Sequence, residues 1–194
     1  MRTRNVMAAI DFPRRRMDAF TYSTFTATMA LVALALAVVA LVVRFTTSPE
    51  TRAGLASSAR WLAWLVAATC MTGSLIYSEY FHFPPCLLCW YQRIAMYPLA
   101  AILLVGAIRN DSKIRTYGLP LSIIGLVISI YHVLIQNFPN LEAGGACDPA
   151  VPCTAKLVNM FGFVSIPFMA GAGFLLITVL LATFSGATVP EKDA

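Results

Sequence analysis

An all-α polytopic membrane protein is the fold class this sequence predicts, and three observations predict it. Hydrophobic residues make up 59% of the chain and charged ones 12%, about half the charged share of an ordinary soluble domain. Five segments, 25–43, 61–77, 94–108, 117–138 and 164–184, are uncharged or nearly so and suit a hydrocarbon core about 30 Å thick. The formal net charge of +5 fits basic loops on the cytoplasmic face. One compact helical membrane domain fits better than two soluble ones, and so few charges argue against a nucleic-acid surface.

Taken in order, the chain opens on a polar tail carrying Arg2, Arg4, Arg14, Arg15 and Arg16, then enters the apolar run 25–43. That run is longer than the apolar part of a signal peptide and lacks a small-residue cleavage site, so a retained helix is expected. A polar linker, 44–60, carries Arg44, Arg52 and Arg60. The second span holds Cys70 at its middle, where a thiol is expected to be an inert small hydrophobe. The third span is short, about 22 Å if helical, unless the turns of 86–93 extend it. The basic turn 109–118 has the character of a cytoplasmic one.

The fourth span ends near His132 and Gln136, four residues apart on one helical face. A histidine in a membrane segment is a functional candidate, although a hydrogen bond to Gln136 or to a backbone carbonyl would occupy it equally. A loop rich in Gly, Pro and Asn, 139–162, contains Cys147 and Cys153. In the last span Pro167 and several glycines allow bending or close helix contact. The tail 185–194 is small and polar.

The chemistry lies in Pro84-Pro85-Cys86-Leu87-Leu88-Cys89-Trp90-Tyr91-Gln92-Arg93. Two prolines cannot continue a preceding helix but suit the start of a new one, which puts Cys86 near a helix N-terminus. There the helix dipole lowers a thiol's pKa, and the thiolate is the reactive form. Arg93, one turn beyond Cys89, adds a fixed positive charge on the same face. Trp90, Tyr91 and Tyr97 are residue types that favour the membrane–water boundary. Two spans separate this dithiol from the Cys147/Cys153 loop, so both pairs emerge on one side of the membrane. Four such cysteines admit three readings: a redox relay, two static disulfides, or a four-cysteine metal site. The second pair's spacing, with two prolines inside it, is unlike the short knuckles of zinc sites, and the large apolar core leaves two staples little to add.

The runs GSLIYSEYF, PPCLLCWYQRI, YHVLIQ, CDPAVPC and GFVSIPF resemble the DsbB/BdbC family of membrane thiol:quinone oxidoreductases, over about residues 61–184. The resemblance implies a four-helix membrane bundle at 61–184. Residues 1–60 then form an extra part: a basic tail, one additional N-terminal hydrophobic helix and a linker. It also implies a disulfide-generating enzyme that reoxidises an extracytoplasmic thioredoxin-like thiol oxidase (DsbA/BdbD-like). Two electrons would pass to a membrane quinone, menaquinone or ubiquinone, supporting disulfide formation in exported proteins. Carried onto this chain, Cys86 and Cys89 become the quinone-facing pair, with Cys89 against the ring. Arg93 and His132 become the residues beside the quinone, and Cys147 and Cys153 the pair that exchanges with the partner. The short spacing of that second pair matches the BdbC-like branch.

The implied place is the bacterial plasma membrane, with the cysteine loops on its extracytoplasmic side, because cytosolic reductants keep inward-facing thiols reduced. Charge counting does not decide this orientation. If 25–43 spans, the Lys and Arg residues divide seven to seven; if it does not, they divide twelve to two in favour of outward cysteines.

Overall fold

The computed structural model describes residues 2–142 and 147–184, with side chains from residue 18 onward. The arginine side chains of the opening tail and the expected polar tail 185–194 lie outside the described residues. Among the described residues, five helices are long and apolar enough to cross a membrane. They are α1 (Arg2–Thr46, its apolar part Asp18–Thr46), α2 (Pro49–Leu75), α3 (Leu87–Ile108), α4 (Ile114–Asn137) and α5 (Ile166–Phe184).

α2 to α5 close a ring in which α2 packs on α3, α3 on α4, α4 on α5 and α5 on α2, while α1 lies against α5. The bundle is therefore four helices plus one, and the cysteine-bearing ends of α2, α3, α4 and α5 meet on one face. The apolar run 25–43 is a helix of this bundle, as its length and hydropathy require.

The expected linker 44–60 is different in the structure. Only Thr47 and Ser48 stand between α1 and α2. Ser48 caps α2 by accepting from the Thr51 backbone N–H, Pro49 occupies the first turn and Glu50 faces the positive end of the helix dipole. A polar sequence with those start signals makes helix rather than loop. α3 is longer than the apolar run 94–108 because the turns after Cys86 are helical; its 22 residues reach about 33 Å.

α2 runs on through a π-helical turn, Ile76–Tyr80, and the chain then reverses at His82, whose φ of 57° is left-handed. This reversal feeds Pro84 and Pro85 into the start of α3. On the opposite face, Arg60 of α2 is buried and hydrogen-bonded to Asn110 in the α3–α4 turn.

Small residues set how closely α4 and α5 approach. A Cβ on Gly125 would run into the ring of Phe174, which is fully buried. Overpacking of this kind costs about 1–3 kcal/mol. Gly125→Ala is therefore expected to lower the thermal midpoint of the detergent-purified protein, whereas Gly54→Ala, with open space around it inside α2, does not lower it and raises it slightly through helix propensity.

Candidate active site

Cys86 caps α3 in an extended conformation, and Trp90 N–H closes the first helical turn on its carbonyl. Leucines at 87 and 88 then carry Cys89 one turn on, and the two Sγ atoms lie 3.1 Å apart in hydrogen-bond contact. Cys147 and Cys153 are joined in a disulfide, with Cα atoms 5.9 Å apart. Cys86, Cys147 and Cys153 share one buried cluster with Ile135 of α4, and Cys89 and Val151 pack against it. The structure thus brings all four expected cysteines together, one pair bridged and the other free.

His132 holds this arrangement from α4. Its Nε2 lies 3.1 Å from the Cys153 carbonyl and 3.6 Å from Cys86 Sγ. A carbonyl only accepts, so the Nε2 proton serves that bond and is also turned toward the thiol. Gln136, one turn along, donates to the Ala155 carbonyl at 3.2 Å. Both α4 side chains therefore fasten the loop that carries the disulfide. The Cys86 thiol is held well below the usual thiol range, first by its hydrogen bond with Cys89 and less by His132, against the cost of burying a charge.

Two cavities meet at Cys89. A small pocket of about 100 Å³ lies between Cys86, Cys89, His132 and the loop residues Val151 and Pro152. On the other side a mostly apolar cleft of about 620 Å³ opens among α1, α2, α3 and α5. Cys89, Arg93 and Tyr97, spaced one turn apart on one face of α3, all line that cleft. Of the two residues expected beside a quinone, Arg93 lines the larger cleft and His132 the small pocket, with Cys89 common to both.

Arg93 is buried, donates from Nε to Ser74 Oγ at 2.9 Å and from Nη2 to the Ser74 carbonyl at 3.0 Å, and lies 5.2 Å from the Trp90 ring centre. Gln92 is buried beside it and donates to Ser129 Oγ of α4 at 3.1 Å.

Sequence reasoning missed Tyr97. Read as a boundary aromatic, it has a buried hydroxyl with no hydrogen-bond partner among the described residues. Its spacing of eight from Cys89 was the available signal. Trp90 and Tyr91, by contrast, are exposed as boundary residues should be.

Cys70 sits in mid-helix, where a Cβ on Gly173 would press on its Sγ at 2.5 Å, so it packs between α2 and α5. Cys86 Sγ, Cys89 Sγ and His132 Nε2 lie within 4.8 Å of one another, close enough to share a metal ion. With Cys147 and Cys153 bonded to each other, however, the four-thiolate set of the metal reading is not assembled.

Comparison with known proteins agrees with this geometry. The model of the family described as "Disulfide bond formation protein DsbB" matches residues 56–184. The chain is 44% identical over 126 residues to "Disulfide bond formation protein C" of Bacillus subtilis, covering 65% of this chain and 91% of that one. It is 52% identical over 120 residues to a "Probable disulfide formation protein" of Oceanobacillus iheyensis, covering 61% and 83%. It is 49% identical over 120 residues to "Probable disulfide formation protein C 2" of Bacillus anthracis, covering 62% and 85%. No solved structure matches the chain. Paired cysteines at the mouth of a helical membrane bundle and a family match across all four helices of its ring lead to one conclusion: this chain belongs to the DsbB family of disulfide bond formation proteins.

Proposed function

We propose that this protein is a disulfide-generating thiol:quinone oxidoreductase of the bacterial plasma membrane. It reoxidises an extracytoplasmic thioredoxin-like thiol oxidase of the DsbA/BdbD kind and passes two electrons to menaquinone or ubiquinone. Its cysteine loops face outward, where thiols are not held reduced. The observation that carries this reading is the double position of Cys89, on the pocket beside the loop disulfide and on the apolar cleft at once.

The exchange balances in two-electron steps. A partner thiolate attacks the Cys147–Cys153 disulfide, the partner's second thiol resolves the adduct, and the loop pair is left as two thiols. A loop thiolate then attacks an oxidised Cys86–Cys89 disulfide, and the second loop thiol resolves that adduct. The result is a bridged loop pair beside a reduced Cys86/Cys89 pair, the arrangement described above. His132, at the Cys86 thiol and the Cys153 carbonyl, holds the two pairs in register for attack. Through its hydrogen bond it favours the Cys86 thiolate as the leaving group.

The cleft fits a quinone. Its volume lies in the range of small-ligand sites, and Arg93 and the unpartnered Tyr97 hydroxyl are donors suited to ring carbonyls. Bound there, a quinone supplies an acceptor for two electrons and two protons that is soluble in the bilayer.

The test is anaerobic reduction of a soluble quinone analogue by a reduced thioredoxin-like partner and the purified protein. The wild type is expected to turn over many times and Cys89→Ser to lose turnover. Cys70→Ala is expected to keep its rate within about twofold, because a thiol packed in mid-helix behaves as a small hydrophobe. A wild type that never exceeds one turnover, or a Cys89→Ser variant as active as the wild type, would sink the reading.

A further inference from the structure

The cleft beside Cys89 is larger than a ring site needs, and one of its flanks is a helix outside the family's matched segment, which begins at residue 56. From α1 the side chains of Phe25, Met29, Ala33 and Leu36 line it, spaced three or four residues apart and so on one helical face. Across the opening stands Leu65 of α2. Phe25, Met29, Leu36 and Leu65 are all exposed, so the cleft opens sideways between the apolar spans α1 and α2.

α1 is fixed in this position at both ends. At the cysteine end Thr26 Oγ1 and Ser23 Oγ meet the Tyr77 hydroxyl at 2.8 and 3.2 Å, and the Tyr22 and Tyr77 rings pack edge to face with centres 5.2 Å apart. At the other end Arg44 donates to the Ala182 carbonyl of α5 at 3.0 Å. The gap between α1 and α2 is thus framed by fixed contacts.

We infer that α1 builds a chain-binding subsite: the prenyl tail of a membrane quinone lies along the Phe25, Met29, Ala33 and Leu36 face and leaves the protein between α1 and α2. This inference rests on the quinone reading above and adds to it the part of the molecule that recognises the tail. Its occupant follows from how polarity is distributed. Arg93, the charged group that lines the cleft, and the dithiol member Cys89 belong to the first two turns of α3, and α2 adds Thr69, Cys70, Thr72 and Ser74, whereas the α1 flank beyond Thr26 is wholly apolar. Such a site suits a ligand with a polar ring at one end and a hydrocarbon chain at the other. Ala33 is the position where added bulk fills the chain's path without touching Cys89 or Arg93.

The test is binding, measured on the full-length protein in detergent by quinone-dependent quenching of tryptophan fluorescence. Two probes are compared: a bare quinone headgroup, and the same headgroup carrying a prenyl chain several isoprenes long. Ala33→Phe is expected to weaken binding of the prenylated probe about tenfold, the effect of displacing roughly two methylene groups from an apolar site. Binding of the bare headgroup stays within about twofold, which also shows that the variant is folded. Ala33→Leu gives a smaller loss in the same direction.

Equal losses for both probes, or none for either, overturn the subsite. So does a wild type that binds the prenylated probe no tighter than the bare one, the result expected if a phospholipid acyl chain fills the cleft. A wild type that binds neither probe overturns the quinone reading together with the subsite.

Discussion

Cys153→Ser is expected to accumulate a covalent complex with a thioredoxin-like partner that Cys147→Ser does not. Cys153 is fully buried, with its carbonyl on His132 and its cluster neighbour Cys86 alongside, whereas Cys147 retains 8% exposure. On this exposure difference Cys147 is expected to be the member a partner attacks first and Cys153 the one that passes the disulfide inward. With Cys153 gone, a Cys147 thiolate attacks the oxidised partner and frees the partner's second thiol. That thiol alone can reverse the adduct, and no second loop thiol remains to clear it by releasing the partner reduced, so a population of adduct persists. With Cys147 gone, the adduct does not form. Both variants lose sustained disulfide formation by on the order of a thousandfold, as expected when one member of a catalytic unit is removed. Non-reducing gels with the partner present read the trap directly. Equal trapping by both variants would mean that the exposure difference does not choose the site of attack. No trapping, with disulfide formation intact, would remove the relay altogether.

Arg93→Ala is expected to raise the Michaelis constant for a soluble quinone analogue roughly tenfold to a hundredfold. That is the equivalent of one charge-assisted hydrogen bond. The same side chain also ties α3 to Ser74 of α2, so a loss of stability is a competing outcome. Two measurements separate them. The thermal midpoint of Arg93→Ala reports the tie, and Ser74→Ala removes one of its two acceptors while leaving the guanidinium on the cleft. If Arg93→Ala and Ser74→Ala shift the midpoint alike and neither changes the Michaelis constant, Arg93 is a strut between helices.

Much of this architecture was legible in the sequence because hydropathy reports the solvent a segment meets. The five apolar runs became five helices, and Pro84-Pro85 placed Cys86 at a helix start. Span parity placed Cys147 and Cys153 beside it. What escaped was which faces meet. The polarity of residues 44–60 suggested a loop, yet Ser48 and Pro49 start a helix there, because backbone start signals act regardless of whether a segment is apolar. His132 and Arg93 were read as neighbours of one ligand. The structure puts them on opposite sides of Cys89, since α4 and α3 approach the cysteines from different directions. Tyr97 looked like a boundary aromatic, because composition does not tell a ring in the headgroup layer from one whose hydroxyl is enclosed.

The contacts that fix α1 also impose an order on biogenesis. α1 leaves the ribosome first, but Tyr77, which receives Thr26 and Ser23, follows some fifty residues later. Ala182, whose carbonyl receives Arg44, is 138 residues behind it. Until α5 is inserted, α1 has its Tyr77 contact but neither the helix it packs on nor its second anchor. Its most apolar 18-residue stretch has a mean hydropathy of 2.6, the highest among the five spans, against 1.3 for the α2 span and 1.4 for α3. A segment that apolar is stable in the bilayer without a partner. Its packing on α5 is therefore expected to follow insertion of α5.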